Sequence, residues 1–229
     1  GQSILLAAIA GVGLGIIVWL TAPVFAYLVN MSGPARHAFL TYMRILAFGV
    51  PFETVMFVAI ALQPAFVEPY KLVLGWFHAS VLLLVTVTDF EHRMIPERAT
   101  LPAIAVAVLT CWLWFWHEYW YVAFIGGAIG YGFFWLAVVV GNKFIGRGAM
   151  SRGDVTLAAY VGLITGFPGI ITALVVTILA GGIISFALLL VRVVNLRSGI
   201  PYGPFIALGG FITLVWGQSI MTRFFFGAG

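Results

Sequence analysis

The chain has 229 residues, of which 63% are hydrophobic and 8% are charged. Soluble domains carry about 25% charged residues, so this chain lacks the polar surface that a soluble protein needs. The composition predicts an all-α, polytopic membrane protein, because its apolar runs are continuous and long enough to cross a bilayer as helices of roughly 20 residues. The formal net charge of +4 does not indicate nucleic-acid binding, since in a membrane protein the placement of Lys and Arg relative to the spans is informative.

Eight candidate helices are predicted in chain order, over residues 4–29, 38–62, 72–88, 99–115, 119–140, 154–166, 170–194 and 204–223. Helices one and two (4–62) and a core at 70–226 are expected to form a single integral membrane domain over residues 1–229. Glycines four residues apart, as in the first and fifth helices, favour close helix contacts. The sixth helix is short, because a Gly- and Pro-containing segment follows it at 166–169.

The basic residues predict the orientation of this bundle. With the amino terminus outside, nine of the eleven Lys and Arg residues fall in inner loops or adjoining helix ends. The outer side then holds only Lys71 and Arg223. The positive-inside bias therefore predicts a multi-pass protein of the plasma or inner membrane with both termini outside.

The chain contains only two aspartates, and each lies where a hydrophobic run meets a polar loop. Asp89 follows an apolar run in T-V-T-D-F-E-H-R-M-I-P (86–96), and Asp154 opens another in S-R-G-D-V-T-L (151–157). In the predicted topology, the third helix descends to Asp89 and the sixth rises from Asp154. Both carboxylates are therefore expected at one depth, on the cytoplasmic side.

A structural role must be weighed first, because an aspartate at a helix end is more often a cap than a functional residue. Asp154 fits a cap well, since a carboxylate at a helix start accepts backbone N–H groups and favours the positive dipole end. Asp89 fits badly, because it lies at a helix carboxyl end, where the dipole disfavours negative charge.

Two close carboxylates suggest acid–base chemistry. Their proton affinities separate, and the pair can share one proton and hold a water between them. One carboxylate takes a proton from the water while the other protonates the substrate. The asymmetry predicts that Asp154 ionises more readily than Asp89. This chemistry needs neither a metal nor another cofactor, and the four scattered His residues show no ligand spacing.

Two other function classes stay open at this point. A proton-coupled transporter would use the same aspartates, but it needs polar groups along a path across the bilayer. Only Glu53 and His78 lie deeper in predicted spans, where pairing in the bundle interior and a role beside the aspartates are both possible. A non-catalytic assembly scaffold gives no reason for two aspartates at one depth.

Three motifs resemble the type IV prepilin peptidases. D-F-E-H-R-M-I-P-E-R-A-T-L-P, from Asp89 through Pro96 to residue 102, is similar to the family's first aspartate motif. R-G-D-V-T-L, with Gly153 and Asp154, resembles its second, the G-x-G-D element of intramembrane aspartyl proteases. G-I-P-Y-G-P-F-I-A-L-G-G (199–210), with Gly203 and Pro204, resembles the loop that opens the last helix. The motifs occur in the family's order and at similar spacing.

The resemblance implies an intramembrane aspartic endopeptidase with Asp89 and Asp154 as catalytic residues. Its substrates would be precursors of type IV pilins and related secretion proteins, each with a short basic leader before a hydrophobic helix. Cleavage would follow a glycine at the cytoplasmic membrane face. Apart from these membrane protein substrates and the bilayer, no partner is implied, and no nucleic acid.

The chain departs from the family pattern in three places. Ser151 replaces the first glycine of G-x-G-D, and Thr156 stands where the family often has Lys. Many members also carry a cysteine-containing cytoplasmic domain after the first helix, linked to methylation of the new amino terminus. Here that place holds residues 30–37 without cysteine. The departure speaks against methyltransferase activity and predicts either a single-function peptidase or a methylating partner.

Two glutamates lie close to Asp89 in sequence. Glu91 and Glu97 would receive a basic leader by short-range attraction, or they would simply pair with Arg93 and Arg98. Both interpretations stay open. The prolines and glycine Pro96, Gly203 and Pro204 are expected to shape the site.

Overall fold

The computed structural model describes residues 2–28, 33–63, 68–92, 95, 97–113, 119–144, 151–190 and 202–225. These residues contain seven helices and no strand, which confirms the predicted all-α class. The helices are α1 (Gln2–Leu28), α2 (Gly33–Ala61), α3 (Pro69–His92), α4 (Glu97–Thr110), α5 (Tyr121–Phe144), α6 (Arg152–Leu190) and α7 (Gly203–Phe225).

By length and composition, the chain is a multi-pass membrane protein. Within the described residues, five helices are long and apolar enough to cross a bilayer. The segments that meet these criteria are Leu5–Val24, Pro69–Glu91, Tyr121–Gly141, Arg152–Ala187, which contains a break described below, and Gly203–Met221.

The chain forms two compact units, Gly1–Leu72 and Val73–Gly229. The first unit contains α1 and α2, which approach closely at a glycine of α1. A Cβ atom on Gly11 would lie 2.7 Å from the Cα atom of Pro51. Since lipid tails are as apolar as the side chains, such close backbone packing contributes strongly to helix association in a membrane. The prediction of a single domain stays a prediction.

The second unit is built around α6, which packs against α4, α5 and α7. The contact with α5 runs through small residues: the backbones of Gly126 and Gly162 touch, and Gly130 lies against the carbonyl of Ala158. Tyr160, on the same helix, is completely buried. Because α6 is central, the residue at its start is held on a firmly packed element.

Helix α6 is interrupted near its middle. Gly166 has φ +59°, a conformation that suits glycine, and Phe167 is extended at φ −96° and ψ 135°. A Cβ atom added at Gly130 would contact the carbonyl oxygen of Ala158. It would also lie 3.4 Å from Cδ1 of Ile170. In one straight helix, residues 158 and 170 would be about 18 Å apart along the axis. The two halves of α6 therefore fold back beside each other, which confirms the sixth and seventh helices predicted separately.

The bounds of α3 matter for the site. It begins at Pro69, a residue favoured in the first helical turn, and ends at His92 rather than at the predicted residue 88. Asp89 consequently lies inside the last turn of a helix and not in the loop after it.

Candidate active site

Asp154 lies in the first turn of α6 and takes part in a reciprocal cap. Its Oδ2 accepts the backbone N–H of Ser151 at 2.8 Å, while its own N–H donates to Oγ of Ser151 at 3.3 Å. This is a capping box, in which the residue before the helix and the third helical residue satisfy each other's free N–H groups. The carboxylate thus has a fixed position at the positive end of the α6 dipole.

The negative charge of Asp89 is stabilised by a helix other than its own. It lies at the carboxyl end of α3, where the helix dipole opposes a negative charge. Its Oδ2, however, accepts the backbone N–H of Gly203 at 3.0 Å. Gly203 is the first residue of α7, and the first N–H groups of a helix have no partner within that helix. The start of α7 therefore supplies the donor and the positive dipole end that α3 lacks.

Two glycines permit this close assembly. A Cβ on Gly203 would lie 2.5 Å from Oδ2 and 3.0 Å from Cγ of Asp89, so a side chain there would displace the carboxylate. A Cβ on Gly153 would lie 2.8 Å from Cβ of Ile95, in the link between α3 and α4. Both glycines are required by proximity, one for the carboxylate and one for the loop beside α6.

The two carboxylates converge in a buried place. Asp89 is 4% exposed and Asp154 is 5% exposed, and they are near enough for their charges to interact. In both residues, the hydrogen bond goes to Oδ2. A backbone N–H thus fixes one oxygen of each carboxylate.

The remaining predicted site residues divide between interior and surface. Pro204 is buried beside Gly203 at the start of α7. Glu91, in the last turn of α3, and Glu97, the first residue of α4, are exposed. They lie on the two helices that flank the link containing Ile95. Pro96, Arg93 and the side chain of Arg98 lie outside the described residues, so the pairing of these arginines with the glutamates stays a prediction.

A second buried polar pair connects the two aspartate-bearing helices. Nδ1 of His78 on α3 and the hydroxyl of Tyr160 on α6 are 2.6 Å apart, within hydrogen-bond distance. The side chains are 1% and 0% exposed. His78 precedes Asp89 by about three turns, so it pairs in the bundle interior, well away from the carboxylates. Glu53, the other polar residue predicted in a span, is half-buried on α2.

Sequence reasoning missed three of these partners. Ser151 appeared only as a departure from G-x-G-D, although the spacing S-x-x-D at a helix start indicates a capping box. The N–H of Gly203 and the hydroxyl of Tyr160 gave no local signal, because they come from distant helices.

These features define a multi-pass, all-α membrane protein with a pair of buried carboxylates where three helix ends meet. Residues 76–186, which contain both aspartates, match the model of the type IV leader peptidase family. Over this segment, the chain belongs to that family.

Curated relatives extend the similarity. The chain is 31% identical over 172 residues to the prepilin leader peptidase/N-methyltransferase of Aeromonas salmonicida strain A449, covering 73% of this chain and 56% of the relative. It is 32% identical over 146 residues to the protein of that name from Bacillus subtilis strain 168, covering 62% and 55%. The chain thus spans about half the length of these relatives. No solved structure matches it.

Proposed function

We propose that the chain is an intramembrane aspartic endopeptidase that removes the leader from prepilin-like precursors. The observation that carries this proposal is the paired arrangement of Asp89 and Asp154, each buried and each held through one oxygen by a backbone N–H. Membership of the type IV leader peptidase family supports the same assignment. Capping alone accounts for Asp154, but it gives no reason to bury Asp89 against the start of a helix 114 residues later.

The chemistry follows from two carboxylates that share one proton. A water held between the two carboxylates loses a proton to the ionised one and attacks the scissile carbonyl carbon. The protonated carboxylate donates its proton to the carbonyl oxygen, and a tetrahedral diol forms. The carbon–nitrogen bond then breaks as the first carboxylate returns its proton to the leaving amine and the second carboxylate takes a proton from a hydroxyl group of the diol, which restores the starting pair. Neither a covalent intermediate nor a metal takes part in these steps.

The order of ionisation follows from the partners of each carboxylate. Asp154 lies in the first turn of its own helix and inside a capping box, which favours its charged form. Asp89 has one N–H donor from α7 and lies against the negative end of α3. We assign Asp154 as the base that takes the proton from water and Asp89 as the acid that protonates the carbonyl.

The test is cleavage of a precursor with a basic leader by the purified full chain in detergent or proteoliposomes. Asp89→Asn and Asp154→Asn each keep side-chain size and should lose the shortened product. Glu68→Gln is a matched control, because Glu68 is an exposed carboxylate in a surface ion pair with Lys71 at 3.1 Å. Retained cleavage in either aspartate variant, with the control active, contradicts the proposed pair.

Substrate docking is a separate part of the proposal. The exposed Glu91 and Glu97 offer negative charge beside the buried site, where a basic leader would lie. Reversing both charges should raise KM for a basic leader, and the effect should shrink at high salt because exposed charges are screened. A leader made neutral by substitution is the control, since its KM should be unaffected. An unchanged KM for the basic leader after charge reversal would remove the glutamates from docking.

The cytoplasmic position of the site and the outside position of the amino terminus also belong to the proposal. They rest on the distribution of Lys and Arg. The curated relatives carry N-methyltransferase in their names, whereas our proposal for this chain is limited to peptide cleavage. Mass spectrometry of the new amino terminus, with a methyl donor present, would reveal any methylation. Proton-coupled transport, the other use of two aspartates, is not favoured by the family match.

A further inference from the structure

The unit formed by α1 and α2 contains a groove that the proposed peptidase chemistry does not use. Its volume is about 370 Å³, and it lies where Gly15 of α1 contacts the carbonyl of Ala47 of α2. Because Gly15 has no side chain, the backbones of α1 and α2 touch there, and the larger side chains beside it form the two walls of the groove. Its lining is apolar throughout: Val12, Gly15, Ile16, Trp19, Leu20, Ala47 and Pro51.

A positive charge lies at one end of this groove. Cζ of Arg44 is 5.4 Å from the ring centroid of Trp19, which is within the range of a cation–π contact. Arg44 precedes Ala47 by three residues and Pro51 by seven, so all three share one face of α2. Arg44 is exposed. Among the described residues, it has no carboxylate within salt-bridge distance.

The position along the helices is that of a lipid headgroup. Trp19 lies five residues, about 7.5 Å, inside one end of the span Leu5–Val24. Arg44 lies five residues before the apolar segment Gly49–Ala61 of α2. Tryptophan is enriched at the membrane–water interface, and a long arginine side chain reaches the headgroups from such a depth. From Arg44 to Pro51 the groove extends about 10 Å, within the roughly 15 Å of one leaflet's hydrocarbon.

The size of the groove discriminates between occupants. A helix about 10 Å in diameter occupies roughly 800 Å³ over the same 10 Å of length, so it would lie mostly outside a groove of this size. An acyl chain is much thinner and can lie along the cleft. Its transfer from the surrounding lipid brings little hydrophobic free energy, because lipid tails are already as apolar as the groove. Selectivity must therefore come from the guanidinium, which pairs with a phosphate through two parallel N–H donors.

We propose that this groove binds one anionic glycerophospholipid. Its phosphodiester pairs with Arg44, its headgroup lies beside Trp19, and one acyl chain follows the apolar lining between α1 and α2. A lipid with a net negative charge fits better than a zwitterionic one, because no carboxylate among the described residues compensates Arg44 and an added ammonium group would be repelled.

The test uses Trp19 as its own reporter in the full chain reconstituted into mixed vesicles. Phosphatidylglycerol and phosphatidylcholine are compared, each in turn carrying brominated acyl chains that quench tryptophan. The difference between the intact chain and Trp19→Phe isolates the signal of Trp19. We expect quenching to show a preference of about fivefold for phosphatidylglycerol, as one basic residue near an anionic leaflet provides.

The matched variants replace two arginines of the same helix, α2. Arg44→Gln should reduce the preference to about one, whereas Arg36→Gln should keep it, since Arg36 is also exposed but eight residues away. Circular dichroism and elution as a single species establish that each variant is folded. An equal preference in the intact chain and Arg44→Gln would overturn the proposal. So would a change in oligomeric state on Arg44→Gln without a change in lipid preference, which would make this face an interface between copies.

Discussion

The substitution Gly203→Ala tests the site through a single methyl group. The new Cβ would lie 2.5 Å from Oδ2 and 3.0 Å from Cγ of Asp89, so the carboxylate must move by a substantial fraction of an ångström. That movement breaks or lengthens the 3.0 Å hydrogen bond from the backbone N–H of Gly203. Asp89 becomes charged as it gives its proton to the carbonyl oxygen, and hydrogen bonds to charged groups contribute about 1.5–3 kcal/mol, which corresponds to about 10- to 150-fold in rate. A misplacement of about 1 Å in a catalytic group has an effect of similar size, near 100-fold.

The expected result is a loss of about 100-fold in kcat for leader cleavage, with KM changed little, because substrate contacts elsewhere remain. Gly132→Ala is the matched control, since nothing lies within 4 Å of a Cβ at that helical position. The assay is steady-state cleavage of one precursor by both variants in the same detergent. If Gly203→Ala kept kcat within about twofold of the control, Asp89 would not depend on the start of α7 for its position.

Four further substitutions probe the supporting structure. Ser151→Ala removes the hydroxyl acceptor of the capping box and should lower stability by about 1 kcal/mol, visible as a lower Tm; an unchanged Tm would mean that the cap contributes nothing. Tyr160→Phe and His78→Ala should each lower the free energy of unfolding by about 1–3 kcal/mol. In a double-mutant cycle measured by denaturation, the two effects should be non-additive. Simple additivity would argue against the hydrogen bond between these side chains. Gly130→Ala should destabilise α5 against α6 by about 1–3 kcal/mol because its methyl group meets a backbone carbonyl, while the control Gly132→Ala unfolds as the unaltered chain does.

Local signals in the sequence predicted the parts of the site that are themselves local. Asp154 was expected at a helix start, and the structure places it in the first turn of α6. The break in α6 was predicted at 166–169, because glycine and proline interrupt a helix through their own backbone geometry. Such features depend on a few neighbouring residues, so a single sequence is enough to find them.

The partner of Asp89 could not be predicted in this way. Its position at the end of α3 looked unfavourable when only the dipole of its own helix was considered. The compensating N–H comes from Gly203, 114 residues later, and nothing near Asp89 indicates that α7 begins there. The bond between His78 and Tyr160 joins residues 82 apart and is equally invisible locally. Long-range packing determines both, and it emerges only when the helices are assembled.

The break in α6 affects how the depth of Asp154 depends on membrane thickness. The half that carries Asp154, from Arg152 to Thr165, has 14 residues and is about 21 Å long. The hydrocarbon core is about 30 Å thick, so this half turns back before it reaches the opposite surface of the membrane. Helices that cross the whole bilayer adjust to its thickness by tilting, but this half has no far end to match. The depth of Asp154 is therefore set by the membrane surface at which its helix begins. This depth need not change between thin and thick membranes.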